Sequence, residues 1–208
     1  MVSFDVDGTL VDRSFADLVW FEEIPKLYAE RHGVSFAKAL ELLKREYDGV
    51  GPERLEWYDI KYWFNRFSLG KGWTELLERC GERVHPYPEA PRVLEGLSKS
   101  YELVVASGSA REFLDVNLAR SNLRPYFTRV FSSVSDYRMI KKKPEFFERV
   151  CESLGVAPAQ LLHVGDDPFF DFEAPRKLGV RSVLLDRSRR RSGKWVIHDL
   201  RGVEKLLV

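Results

Sequence analysis

The chain has 208 residues, 44% hydrophobic and 13% aromatic, enough for one good core with a small satellite but not for two full-sized domains. Its 33 lysines and arginines nearly cancel 32 aspartates and glutamates, and a net charge of +1 supplies no whole-molecule field that would steer it to nucleic acid or to a membrane. No apolar run reaches the roughly 18 residues of a spanning helix, no charged-then-apolar leader opens the sequence, and Cys80 and Cys151 lack metal-ligand spacing. The expectation is a cytoplasmic protein with two reduced core thiols. A single glutamine, Gln160, beside three asparagines and 31% charged residues is a balance reported for proteins of hot environments.

In chain order, short apolar runs of strand length fall at Val2 to Val6, Leu103 to Ala106, Val130 to Ser132, Leu161 to Val164 and Ser182 to Leu185. Each stops at a Gly, Asp or Ser cluster, as buried strands do. Helical patterns separate the last four: Glu112 to Ser121, Pro144 to Leu154 and about Glu173 to Leu178, the last two stopped by Gly155 and Gly179. Alternation of this kind predicts an α/β fold with a doubly wound parallel sheet of Rossmann-like form.

The stretch from about Arg13 to Glu82 departs from this rhythm. It carries helical periodicity (Leu18, Phe21, Leu27, then Ala37, Leu40, Leu43) and turns at Gly33, Gly49 to Pro52 and Gly70 to Gly72, with no strand pattern. A parallel crossover needs only a dozen or so residues, so this insertion predicts a small α-helical cap: residues 13–85 against a core of 1–12 and 86–208. Its aromatic stripe, Trp57, Tyr58, Tyr62, Trp63, Phe64 and Phe67, reads first as packing. The basic run from Arg187 to Lys194 reads as a solvated loop, and His163 as a structural histidine of its strand.

Asp5 and Asp7 stand two apart at the end of the first strand, on one face if the strand period holds. Carboxylates this close repel unless a cation or proton joins them, and magnesium favours such oxygen donors. The fourth strand ends in Gly165-Asp166-Asp167, with Asp171 four residues on; in a parallel sheet both acidic groups fall on the carboxyl edge, where α/β ligand sites form. The second strand ends in Ser107-Gly108-Ser109, whose hydroxyls and amides suit phosphate oxygens. Lys141-Lys142-Lys143 precede a helix beginning at Pro144 and place positive charge beside its start.

These four elements in this order resemble the haloacid dehalogenase superfamily: Asp5-Val6-Asp7-Gly8-Thr9 its Asp-x-Asp-x-Thr motif, Ser107 the serine or threonine of the second, and Gly165-Asp166-Asp167 with Asp171 the fourth. The resemblance implies that Asp5 attacks phosphorus to give an aspartyl-phosphate, while Asp7 protonates the leaving group and then activates water. It implies Mg2+ held by Asp5, the backbone carbonyl of Asp7 and Asp166, with Asp167 and Asp171 orienting the ligands or pairing with the lysine. Ser107 and Gly108 would hold phosphate oxygens. Relatives usually carry Lys-Pro-x-Pro-x-x-Phe/Tyr, and Pro144-Glu145-Phe146-Phe147 matches from the second proline onward, a register that makes Lys141 the catalytic and phosphate-binding lysine. Many relatives show Gly-Ala where Ala174-Pro175 stands here, which predicts that Pro175 sits in the first turn of a delayed helix.

The dehalogenases that name the superfamily generally lack an aspartate at the position of Asp7, so the resemblance implies a magnesium-dependent phosphatase acting on a small phosphorylated metabolite: phosphoglycolate, a sugar phosphate or a nucleoside monophosphate. A phosphomutase, a 2-haloacid dehalogenase-like hydrolase and a non-enzymatic phosphoacceptor domain are the alternatives. A monomer or weak homodimer is expected.

Overall fold

A computed structural model describes residues 1–207. Strand β1 (Val2–Phe4) is followed by a helical segment: α1 (Ser14–Leu18), α2 (Ile24–His32), α3 (Phe36–Val50), α4 (Ile60–Arg66) and α5 (Trp73–Cys80). Then come α6 (Ala90–Ser98), β2 (Leu103–Ser107), α7 (Arg111–Arg120), β3 (Arg129–Ser132), α8 (Ser133–Tyr137), α9 (Pro144–Leu154), β4 (Leu162–Gly165), α10 (Ala174–Lys177), β5 (Arg181–Leu185), β6 (Val196–Ile197) and α11 (Gly202–Leu207). The strands form one parallel sheet in the order β3-β2-β1-β4-β5-β6. The predicted doubly wound sheet is present. Its sixth strand, two residues long, lacks the apolar run by which the other five are read.

Alternation along the strands divides the core between the two sheet faces. Leu103 and Val105 join an apolar cluster with α6, α7 and α11, whereas Val104 and Ala106 join another with Phe146, Phe147 and Val150 of α9. The sheet reverses direction around β1. The carboxyl ends of β1, β2 and β4 therefore meet at its switch point, the crevice where open α/β sheets take ligands.

The helical segment leaves and rejoins the sheet at one place. Asp12 N–H donates to the His85 carbonyl (3.0 Å) and Tyr87 N–H to the Leu10 carbonyl (2.9 Å), while Val11 bridges to Pro86. Within the aromatic stripe, Trp63, Phe64 and Phe67 are buried, as packing requires. Trp57 and Tyr58 instead border the crevice.

Two widened, π-helical turns interrupt the helices, at Val19–Glu23 and Pro168–Glu173. Each ends two residues before a proline, Pro25 and Pro175. Proline cannot donate to the carbonyl four residues back and its ring crowds that group, here Phe21 and Asp171; a widened turn relieves both conflicts, and such turns recur at functional sites. Pro175 does sit in the first turn of α10, and the distortion it imposes encloses Asp171.

Candidate active site

Asp5 follows β1, with its N–H donating to the Val164 carbonyl of β4 (2.9 Å). Gly8 turns the next loop at φ +83°, and a Cβ there would come within 2.4 Å of an Asp166 carboxylate oxygen. Only glycine lets this loop and the end of β4 approach so closely. Arg187 braces the loop from behind: its guanidinium donates to the carbonyl of Thr9 (2.9 Å), pairs with Glu89 (2.7 Å) and lies over the Tyr87 ring. The first arginine of the basic run is therefore a strut, while Arg189, Arg190 and Arg191 are exposed.

The lysine beside Asp5 is Lys142, one residue beyond the expected Lys141. Lys141 adopts a left-handed backbone, φ +65°, and Lys143 N–H donates to its carbonyl (3.0 Å), closing a tight turn. This turn sends the Lys142 ammonium inward to Asp5 (2.8 Å) and Asp171 (2.5 Å) and the Lys141 ammonium outward to Glu53 of the helical segment. The register read from the prolines puts Lys141 at this place; the left-handed turn puts Lys142 there instead. Desolvation opposes a charge on buried Lys142, but the two carboxylates outweigh it and push its pKa upward.

Asp171 is wholly buried. One oxygen accepts from Lys142 and from His163 Nε2 (2.9 Å), the other from Asp167 N–H (2.9 Å). Burial alone would raise its carboxyl; Lys142 and the His163 hydrogen bond reverse this and hold it below the usual carboxylate range. His163 Nδ1 meets Ser3 Oγ at 2.9 Å, Ser3 and His163 being partners across β1 and β4. A polar chain thus runs through the core behind the site, from Ser3 through His163 and Asp171 to Lys142 and Asp5. A Cβ on Gly165 would fall 2.2 Å from Asp171 Cγ, so glycine is required where this chain passes β4. Asp167 accepts the N–H groups of Phe169 and Phe170 (2.8 and 2.9 Å) and caps the widened turn.

Asp7 faces the other way. Its carboxylate accepts from Ser109 Oγ and from the Asn117 amide of α7 (3.0 Å). Burial is the main cause of its raised pKa, with the Asp5 charge adding and the two hydrogen bonds opposing. Asn117 is almost wholly buried among Phe113, Leu114 and Leu118, and its oxygen has no partner. Sequence reading passed over it, although a lone amide on an otherwise apolar helix face was a usable signal. Ser107 is buried at the end of β2 and accepts from Ser109 N–H (3.3 Å), and Gly108 borders the same crevice.

Asp5, Asp166 and Asp171 each offer a carboxylate oxygen within 4.8 Å of the others. Asp171 has both oxygens engaged, by Lys142, His163 and Asp167 N–H, whereas Asp5 and Asp166 each meet a cation, Lys142 and Arg13, through one oxygen only. Burial, with Asp5 and Asp171 nearby, pushes Asp166 up to about 7. A hard divalent cation relieves that repulsion, and the all-oxygen donor set suits magnesium. These residues fit a metal.

The model of the family described as haloacid dehalogenase-like hydrolase matches residues 1–179. The chain belongs to the haloacid dehalogenase-like hydrolases. It is 24% identical over 184 residues to the GMP/IMP nucleotidase of Escherichia coli, spanning 88% of this chain and 81% of that protein. With the (S)-2-haloacid dehalogenase of Xanthobacter autotrophicus it shares 33% identity over 178 residues, 81% of this chain and 68% of that one. The crystal structure of a phosphatase of the superfamily from Thermococcus onnurineus superposes with a TM-score of 0.85 at 27% identity, covering 99% of this chain and 96% of that one. The protein is a hydrolase of this superfamily, with phosphatases among its relatives, and among the described residues no helix is long and apolar enough to cross a membrane.

Proposed function

We propose that the protein is a magnesium-dependent phosphohydrolase of small phosphate monoesters, with residues 13–85 as a cap over the site. The observation that carries this reading is the Asp7 carboxylate: it lies beside Asp5, raised in pKa by burial and fixed by Ser109 and Asn117. An acid/base group of that kind suits an alcohol leaving group, and halide needs no proton to depart.

In this reading Asp5 attacks phosphorus as the bond to the leaving oxygen breaks, and Asp7 delivers its proton to that oxygen. Water then attacks the aspartyl-phosphate, Asp7 takes the proton, and inorganic phosphate leaves with Asp5 restored. Lys142 neutralises charge on the moving phosphoryl group and aligns Asp5 against Asp171, while Ser107 Oγ and Gly108 N–H receive phosphate oxygens. Asp5, Asp166 and the Asp7 carbonyl would hold the metal, which supplies charge neutralisation at the phosphoryl oxygens. Rotating the Asn117 amide would let its unpartnered oxygen accept from protonated Asp7 and its nitrogen donate to the ionised form; a single residue serves both halves of the cycle.

The second reading, carbon–halogen hydrolysis, draws on the 33% identity with a haloacid dehalogenase. Assays of phosphate release from monoesters and of chloride release from 2-chloropropionate, each with magnesium, decide between them. Phosphate release lost in Asp5→Asn is the expected result; chloride release without phosphate release would overturn the phosphohydrolase.

A further inference from the structure

A cavity of about 530 Å3 extends from Asp5 and Asp7 to the helical segment. The wall opposite the carboxylates is aromatic: Trp20, Phe21, Trp57 and Tyr58 face it from the cap side, and Phe113 from α7. Trp20 stacks on Phe113, centroids 5.4 Å apart, which fixes that part of the wall. Phe21 and Trp57 are 42% and 37% exposed, large apolar side chains left partly unpacked at a site that must bind something.

Charge narrows the occupant further. Six carboxylates, Asp5, Asp7, Asp17, Asp166, Asp167 and Asp171, border the cavity against three cations. Each cation is engaged: Arg13 with Asp166, Lys141 with Glu53, Lys142 with Asp5 and Asp171. Carboxylates outnumber cations two to one around the cavity, which disfavours a second anionic group on the substrate, and the wall offers π faces for a flat one.

We propose that the preferred substrate is a phosphate monoester whose alcohol carries an uncharged planar ring, as in a nucleoside 5′-monophosphate or an arylalkyl phosphate, and not one bearing a carboxylate such as phosphoglycolate. This rests on the phosphohydrolase reading above.

The test compares esters of similar primary alcohols, so that leaving-group chemistry is nearly constant: nucleoside 5′-monophosphates and 2-phenylethyl phosphate against phosphoglycolate and glycerol 3-phosphate, with magnesium. Ring-bearing esters should lead in kcat/KM by about tenfold or more, chiefly through KM. Trp57→Ala should cut the ratio of ring-bearing to ring-free kcat/KM about tenfold, with Trp57→Phe restoring most of it. Which ring ester leads tells a nucleobase from a simple arene. Equal or better turnover of phosphoglycolate, or a ratio untouched by both Trp57→Ala and Phe21→Ala, overturns the inference while leaving the phosphohydrolase intact. If no ester is hydrolysed the phosphohydrolase falls, and calorimetry of the same esters on the parent protein with magnesium decides the ring preference alone: tighter binding of the ring esters supports it, equal or weaker binding overturns it.

Discussion

The two walls of the active-site cavity are built on opposite principles. The sheet wall is charged and buried, each group tied to the next from Ser3 to Asp5, and two of its glycines, Gly8 and Gly165, are dictated by contacts too short for a Cβ. The helical wall is aromatic and partly exposed. Apart from packing it is fastened to the core by exposed ion pairs such as Lys61 with Glu112 and Arg120 with Glu78, which contribute little each. A buried charge network has one workable geometry, because any unpaired member is costly; an aromatic surface admits many. The sheet wall should be intolerant of change, and the helical wall should alter selectivity more than rate.

The largest effect on rate and stability together should come from Lys142, set against its neighbour Lys141. Lys142→Ala leaves Asp5 and Asp171 facing each other without their cation. It should lower kcat about a hundred- to a thousandfold and cost about 3 kcal/mol or more of stability in urea unfolding. Lys141→Ala should stay within about threefold of the parent, since its ammonium points to Glu53. Reversal of the two results would restore the register read from the prolines.

Next in size are the two residues that fix the acid/base position. Asp7→Asn should reduce phosphate release about 10²- to 10⁴-fold. Asn117→Ala should cost about tenfold, as expected for losing one orienting hydrogen bond to a charged group. Both losses should be greater for esters of alkyl alcohols than for p-nitrophenyl phosphate, whose leaving group needs little protonation. Equal losses on the two substrates would mean that Asn117 serves packing alone.

How far such contrasts were visible in the sequence follows from how local their causes are. Asp5, Asp7, Ser107, Gly108 and Asp166 sit at or just past strand ends whose apolar runs are legible, so their convergence at the sheet's carboxyl edge could be inferred. Lys142 could not, because the left-handed turn at Lys141 depends on what surrounds it. The link from His163 to Asp171 needed the widened turn that Pro175 imposes; proline was visible, and its structural consequence was not. Trp57 and Trp63, six residues apart, looked equivalent, and only tertiary placement puts one at the cavity and the other in the core.

Metal binding should show a smaller effect with a definite sign. Asp166 moves from its ordinary 3.8 to about 7 in the folded protein, so the native state takes up a proton that the unfolded state releases. Without metal, this group makes stability fall as pH rises from about 4 to 7. Magnesium must displace that proton, so its affinity by calorimetry should be about a hundredfold weaker at pH 5 than at pH 8. An affinity flat across this range would remove Asp166 from the ligands.

The smallest effect belongs to the helical wall's tether at Glu53. Glu53 is largely exposed and pairs with Lys141, whose ammonium also lies over the Phe170 ring, 5.3 Å from its centroid. Glu53→Gln removes a pair that solvent and salt already screen, so Tm should not move measurably. If the pair helps hold the cap over the site, opening becomes easier: kcat should rise by up to about twofold where product release limits turnover, and KM should rise with it. In about 0.5 M salt the parent should approach the variant, because screening breaks the pair that the substitution removes. A tenfold change in either constant would mean that Glu53 does more than fasten two surfaces, and the helical wall would then share the intolerance of the sheet wall.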